Sequence, residues 1–226
     1  MPVENSRLKG FYKLTVPERR AKLAELAGLT DEQVKAWADA ELDEDTADRM
    51  IENVIGRYSL PIGVATNFII DGDHYLIPFV VEEASVVAAA SNMAKRCQAN
   101  GGFVSNNTEP VMIGQIQVVD CDDPEASKAA ILAAKDELIQ ACNDVDPILV
   151  KFGGGCRDVE ARIIDTESGP MIIVHILVDC RDAMGANAVN TMAETIAPRV
   201  ESLSNGTVIL RIISNLAVHR LARVSA

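Results

Sequence analysis

The residues best placed to do chemistry fall in three short stretches. The first is Arg181-Asp182-Ala183-Met184-Gly185-Ala186-Asn187, which follows an apolar run ending at Val178 and opens a long helical pattern. A helix start leaves free N–H groups and the positive end of the helix dipole facing outward, and small side chains let a phosphate reach them. Asp182 is itself negative, so it reads as the cap of that helix rather than as an anion contact. The alternative is an ordinary strand-to-helix turn. The second stretch is Glu82-Glu83-Ala84-Ser85, set against Phe79-Val80-Val81. An apolar wall there favours the acid form of Glu83 by desolvation and suits it to proton transfer. The competing reading gives both acids to the dipole of the next helix and makes Ser85 a plain N-cap. The third is Gly153-Gly154-Gly155-Cys156-Arg157-Asp158, with Asp146 and Lys151 just before it. Arg157 is a candidate phosphate partner, the glycines are equally a flexible connection, and Asp146 is equally a solvated loop acid.

These stretches need elements to carry them. Residues 17–29 have apolar positions at helical spacing, with a Pro near the start and Gly28 at the end. Thr30-Asp31-Glu32-Gln33 is a capping-box pattern that opens a second helix toward Trp37 and Ala40, and an acidic start at 43–48 opens a third, to about Val54. Apolar runs at 60–70 and 75–80 around Asp71-Gly72-Asp73 predict a β-hairpin, and residues 86–98 an Ala-rich helix that is buried. From Val111 the pattern is regular: strand 111–119, helix 124–142, strands 159–164 and 170–178, helix 185–203, strand 207–213. That β-α-β-β-α-β order is the ferredoxin-like arrangement. The fold class is therefore α+β, with residues 110–213 as a ferredoxin-like module inserted in a larger α+β domain. Residues 1–109 form the first part of that domain, and 214–226 begin a return to it that is truncated here.

Composition narrows the function. Across 226 residues the formal charge is −12, which repels nucleic acid and anionic membranes at long range, so neither is an expected partner. No apolar run is long enough to span a bilayer and the first residues do not read as a signal peptide, which points to the cytoplasm. Five cysteines (Cys97, Cys121, Cys142, Cys156, Cys180) without a C-x-x-C pair read as buried free thiols, and His74, His175 and His219 have no metal-ligand spacing. No metal is expected.

Four segments occur in one order: Glu52-Asn53-Val54-Ile55-Gly56, Leu76-Ile77-Pro78 through Ser91, Gly153 to Asp158, and Asp182-Ala183-Met184-Gly185-Ala186-Asn187. Together they resemble the bacterial, soluble class (class II) of 3-hydroxy-3-methylglutaryl-coenzyme A reductase, along essentially the whole chain. The resemblance implies an oxidoreductase that interconverts 3-hydroxy-3-methylglutaryl-CoA and mevalonate with two NAD(P)H hydrides and release of coenzyme A. It implies a homodimer or larger assembly with active sites shared between subunits. On it, Glu83 is the catalytic acid and Ser85 helps hold the substrate carboxylate. Asp182, Met184, Gly185 and Asn187 form the dinucleotide signature. Asp146 sits where NAD-using relatives place an acid against the adenosine ribose, which implies NAD(H) in preference to NADP(H). Ala84 departs from the family's usual Pro, so the helix entry is looser. The family's catalytic lysine, aspartate and histidine match no residue up to Ala226. The expectation is that these 226 residues do no chemistry alone, and the alternative function is a dinucleotide-binding or assembly module.

Overall fold

The structure, a computed structural model, describes residues 1–38 and 42–226, so the expected end of the second helix at Ala40 lies outside the described residues. The chain divides into two compact units, Met1–Asn106 with Val224–Ala226, and Asn107–Arg223.

In the first unit, α1 (Val16–Ala27) starts on a full capping box between Thr15 and Glu18 and stops at Gly28, whose φ of 63° is the left-handed conformation of a helix end. Two shorter helices follow, α2 (Asp31–Ala38) and α3 (Glu44–Met50). A three-stranded sheet is built from β1 (Pro2–Val3), β2 (Ile62–Ile70) and β3 (Asp73–Val80), in the order β1-β3-β2. The expected hairpin turn is present: Asp71 and Gly72 both have positive φ, 52° and 93°, which matches the twist of the strands they join. Ala65 and Leu76 are fully buried. Helix α4 (Val86–Cys97) packs on β2, where Ser91 Oγ accepts from Thr66 N at 3.0 Å and the Asn67 amide donates to Ser91 O at 3.0 Å. The expected burial of α4 is corrected. Ala94 is buried, but Ala88, Ala89 and Met93 face solvent, because β2 covers one side of the helix alone. The unit also takes in part of β9 (Ala222–Ser225), which pairs with β4 (Val104–Asn107).

The second unit is a four-stranded antiparallel sheet of β5 (Val111–Val119), β6 (Gly155–Thr166), β7 (Gly169–Asp179) and β8 (Thr207–Ile213), in the spatial order β6-β7-β5-β8. Alternation puts Ile172, Val174, Ile176 and Val178 of β7 and Ile116 and Val118 of β5 on one face, all fully buried. Helix α8 (Ala186–Ser204) lays Val189, Met192, Ile196 and Val200 on that face at helical spacing. Each such side chain contributes about 1.5–3 kcal/mol on leaving water. The single helix expected over 124–142 is instead two, α5 (Pro124–Ala133) and α6 (Lys135–Val145), and a further short helix, α7 (Pro147–Lys151), follows. The break falls at Ala134, which leaves helical geometry, and Ile131 of α5 and Leu138 of α6 both reach the core from either side of it.

Candidate functional site

The helix starts fall into two groups. Thr15 caps α1, Asp43 caps α3, Asp123 caps α5 and Asp146 caps α7, each with a side-chain oxygen accepting a first-turn N–H. Thr30 and Gln33 exchange the same bonds at α2. Helix α6 simply continues from Ala134. The starts of α4 and α8 differ: neither has a side-chain cap and neither has an acid in its first turn. Their free N–H groups and positive dipole ends are available to an anion. These two starts are Ser85-Val86 and Gly185-Ala186.

At α8 the cap is Gly185, which corrects the assignment of Asp182 as the cap. Asp182 lies three residues earlier, exposed in a turn closed by the Ala183 N–H donating to Cys180 O at 3.1 Å. Gly185 is required by the protein's own packing. Its φ is 100°, and a Cβ there would lie 2.5 Å from Cys180 Sγ. Met184, 73% exposed, and Asn187 stand on the open side of the turn.

A charged cluster underlies this turn. Asp179, 3% exposed at the end of β7, pairs with Arg157 at 2.9 Å and Arg181 at 3.1 Å and accepts from Arg181 N at 3.1 Å. Both guanidiniums also donate to Gly153 O. A buried carboxylate held by two cations is strongly compensated. Arg157 is thus already engaged within the protein, with part of its fork still exposed. The Gly153–Gly155 stretch is close-packed rather than a flexible connection: a Cβ on Gly154 would meet Asp179 O at 2.6 Å, and one on Gly155 would meet Asn143 Oδ1 at 2.4 Å. Burial pushes the Cys180 thiol pKa up; Arg220 acts against that rise, while Asp179 and Asp146 add to it.

Asp146 is a cap rather than a solvated loop acid: Oδ1 accepts from Leu149 N at 2.9 Å, leaving the other oxygen free of that bond. Lys151 is exposed. In the first unit, Glu83 is exposed, so these residues do not supply the desolvating wall that the sequence suggested, and Val80 is itself 62% exposed. Ser85 does not act as a plain N-cap. Its φ is 73°, unusual for a residue with a Cβ, and its hydroxyl makes no capping bond. The cysteines are all free, with Cys142, Cys156 and Cys180 buried but Cys97 and Cys121 partly exposed, against the expectation for all five. Among the described residues there is no group of three or more His, Cys, Asp or Glu arranged to hold a metal, and no helix long and apolar enough to cross a membrane. Sequence reasoning missed Asp179 and Arg220 as site-forming residues and gave Arg181 no role of its own within its stretch. The signal for Asp179 was an acid closing an apolar strand beside an Arg; Arg220, far along the chain, carried none.

Comparison with known proteins gives a consistent answer. The family model described as hydroxymethylglutaryl-coenzyme A reductase matches residues 15–226. The 3-hydroxy-3-methylglutaryl-coenzyme A reductase of Archaeoglobus fulgidus is 59% identical over 222 residues, covering 98% of this chain and 51% of that protein. A structure of the Streptococcus pneumoniae reductase superposes with a TM-score of 0.90 at 36% identity, covering 96% of this chain and 58% of that one. Another, of the class II enzyme from the same organism bound to NADPH in open conformations, agrees equally well, with a TM-score of 0.90. The chain spans about half the length of the curated relative at 51% coverage.

Proposed function

The chain belongs to the hydroxymethylglutaryl-coenzyme A reductase family, and we propose on that premise that it supplies the dinucleotide turn and one acid of an enzyme interconverting 3-hydroxy-3-methylglutaryl-CoA and mevalonate. The observation that carries this reading is the uncapped start of α8 at Asp182-Ala183-Met184-Gly185-Ala186-Asn187, in a chain of this family. The cofactor fits there. Free N–H groups face outward, the first turn has no acid, and Gly185 presents no side chain. When bound, NAD(P)H supplies the two hydrides that take the thioester to the alcohol.

The chain's own residues then divide the work. The start of α8 holds the pyrophosphate, Asn187 donates its amide, and Asp182 and Met184 flank the ligand. Asp146 accepts from the adenosine ribose with the oxygen not used for capping, and its charge disfavours a 2′-phosphate, so NADH is preferred over NADPH. The open start of α4, with Ser85, receives the substrate's free carboxylate. Glu83 moves a proton at the substrate oxygen. Its exposure here, and the bare Ala88, Ala89 and Met93 face of α4, support an active site completed by further chain and by a second copy. The strand order β6-β7-β5-β8 supports the reading of residues 110–213 as a ferredoxin-like dinucleotide domain inserted between 1–109 and 214–226.

The test is paired titration of the 226-residue chain with NADH and NADPH, followed by an assay for mevalonate and free coenzyme A once the missing length is supplied. Saturable dinucleotide binding is expected, tighter for NADH. A chain that binds neither, or a completed protein that forms no mevalonate, overturns the reading.

A further inference from the structure

Arg220 lies beyond the last strand of the second unit's sheet and is not part of the Asp182–Asn187 signature. Its side chain nonetheless reaches back to that turn. Nη1 donates to Ala183 O at 2.8 Å and Met184 O at 3.2 Å, and Nη2 donates to Arg181 O at 3.3 Å. One planar fork thus engages three of the four carbonyls that precede the Gly185 cap. Arg220 is itself held. Thr108 Oγ donates to His219 O at 2.7 Å and accepts from Leu221 N at 2.8 Å, and Thr108 N donates to Leu221 O at 3.0 Å. The backbone on both sides of Arg220 is thereby pinned to Thr108, the second residue of that unit.

We propose that Arg220 is a positioning residue of the dinucleotide site, fixing the Arg181–Met184 turn through its carbonyls while Thr108 fixes Arg220. This rests on the dinucleotide reading of that turn. Two needs of the turn explain the arrangement. Arg181 has φ 51°, a conformation that an L-residue holds only where its surroundings impose it. The helix start that follows has no side-chain cap, so no capping bond at Gly185 locks it. A carbonyl is also the negative end of a peptide dipole, and three of them beside an anion seat oppose phosphate binding unless a cation engages them. Arg220 meets both needs, and its fork geometry matters because a lysine ammonium has a single nitrogen to share among three acceptors. It contacts main-chain oxygens and touches no reacting atom, so its effect is on cofactor binding through the turn.

The test compares the 226-residue chain with Arg220→Ala, Arg220→Lys and Thr108→Val, by amide hydrogen exchange and by NADH titration. Arg220→Ala should speed exchange of the turn amides at 181–186 about tenfold, with central β7 amides unchanged, and weaken NADH about tenfold. Guanidinium ion at low millimolar concentration should restore part of both, Arg220→Lys should fall between, and Thr108→Val should shift both in the same direction by less. Unchanged exchange in the turn overturns the positioning role whatever the cofactor does. Faster exchange with unchanged NADH affinity overturns the link to the cofactor. Wild-type chain that binds no dinucleotide overturns the dinucleotide reading itself and this inference with it. If Arg220→Ala also loses β7 protection, the comparison of wild type with Arg220→Lys decides, and equal behaviour of the two rejects the fork.

Discussion

Gly185→Ala tests whether that glycine is fixed by packing or by a ligand. The backbone there has φ 100°, where an L-residue costs about 1–2 kcal/mol. The added Cβ would also sit 2.5 Å from Cys180 Sγ and 3.1 Å from Cys180 Cβ. Cys180 is fully buried against the core, so neither side gives easily, and overpacking of this kind costs about 1–3 kcal/mol. The sum, roughly 2–5 kcal/mol, corresponds to about 30- to 4,000-fold faster opening of the second unit. Amide exchange of the slowest β7 and α8 protons measures it, and that readout is confined to the second unit. Cys180→Ala removes the closest clash, so in that background Gly185→Ala should cost only the backbone part, about 1–2 kcal/mol. A glycine replacement that leaves exchange unchanged, or costs the same in both backgrounds, refutes the packing account and leaves ligand approach as the reason for the glycine.

Four other outcomes follow from the same geometry. Ser85→Gly should stabilise the first unit by about 1 kcal/mol in chemical denaturation, because φ 73° ceases to be strained, while weakening substrate binding in a completed enzyme through loss of the hydroxyl. Asp146→Asn keeps an oxygen to cap α7 but removes the charge, so NADPH affinity should rise toward that of NADH with thermal stability held. Asp146→Ala should in addition cost about 1 kcal/mol. Glu83→Gln in a completed enzyme should abolish turnover with cofactor affinity retained; parallel loss of both makes Glu83 structural. His175, half-buried on β7, has its pKa held below the ordinary 6.5 by burial first and by Arg162 and His219 next, with Glu160 opposing. The unfolded chain therefore binds more protons as pH falls, so this contribution to stability is present above about 6.5 and is lost as pH drops toward the folded value. Thermal unfolding of the second unit should show that slope between pH 7 and 5, and His175→Gln should flatten it.

The regular elements were legible because their signals are local. Strand 111–119 and strand 207–213 matched residue for residue, and the Asp71-Gly72 hairpin followed from turn chemistry alone. The α5 and α6 break was not legible, since Ala133-Ala134-Lys135 contains neither Pro nor Gly. It appears only as the departure of Ala134 from helical geometry, φ −92° and ψ 13°, which nothing local announces. The burial assigned to α4 failed for a different reason. Small side chains permit close approach of another backbone but do not supply one.

The turn before α8 was legible in place but not in construction. Side-chain caps announce themselves in sequence, as Thr15, Asp43 and Asp123 do, because the residue that makes the bond stands at the helix start. An anion seat depends on the opposite condition, a long helix whose start has no such residue. The rule that holds elsewhere in the chain therefore assigns Asp182 as a cap. The structure shows that the rule gives way at two starts, Ser85 and Gly185, and that both sit at positive φ, 73° and 100°. Without a side-chain cap, each start must be held from a distance. At Gly185 the holding comes from Cys180 beneath, Asp179 with Arg157 and Arg181 beside, and Arg220 from far along the chain. Most of those contacts are not local, which is why a sequence can point to a helix start and still conceal what keeps it in shape.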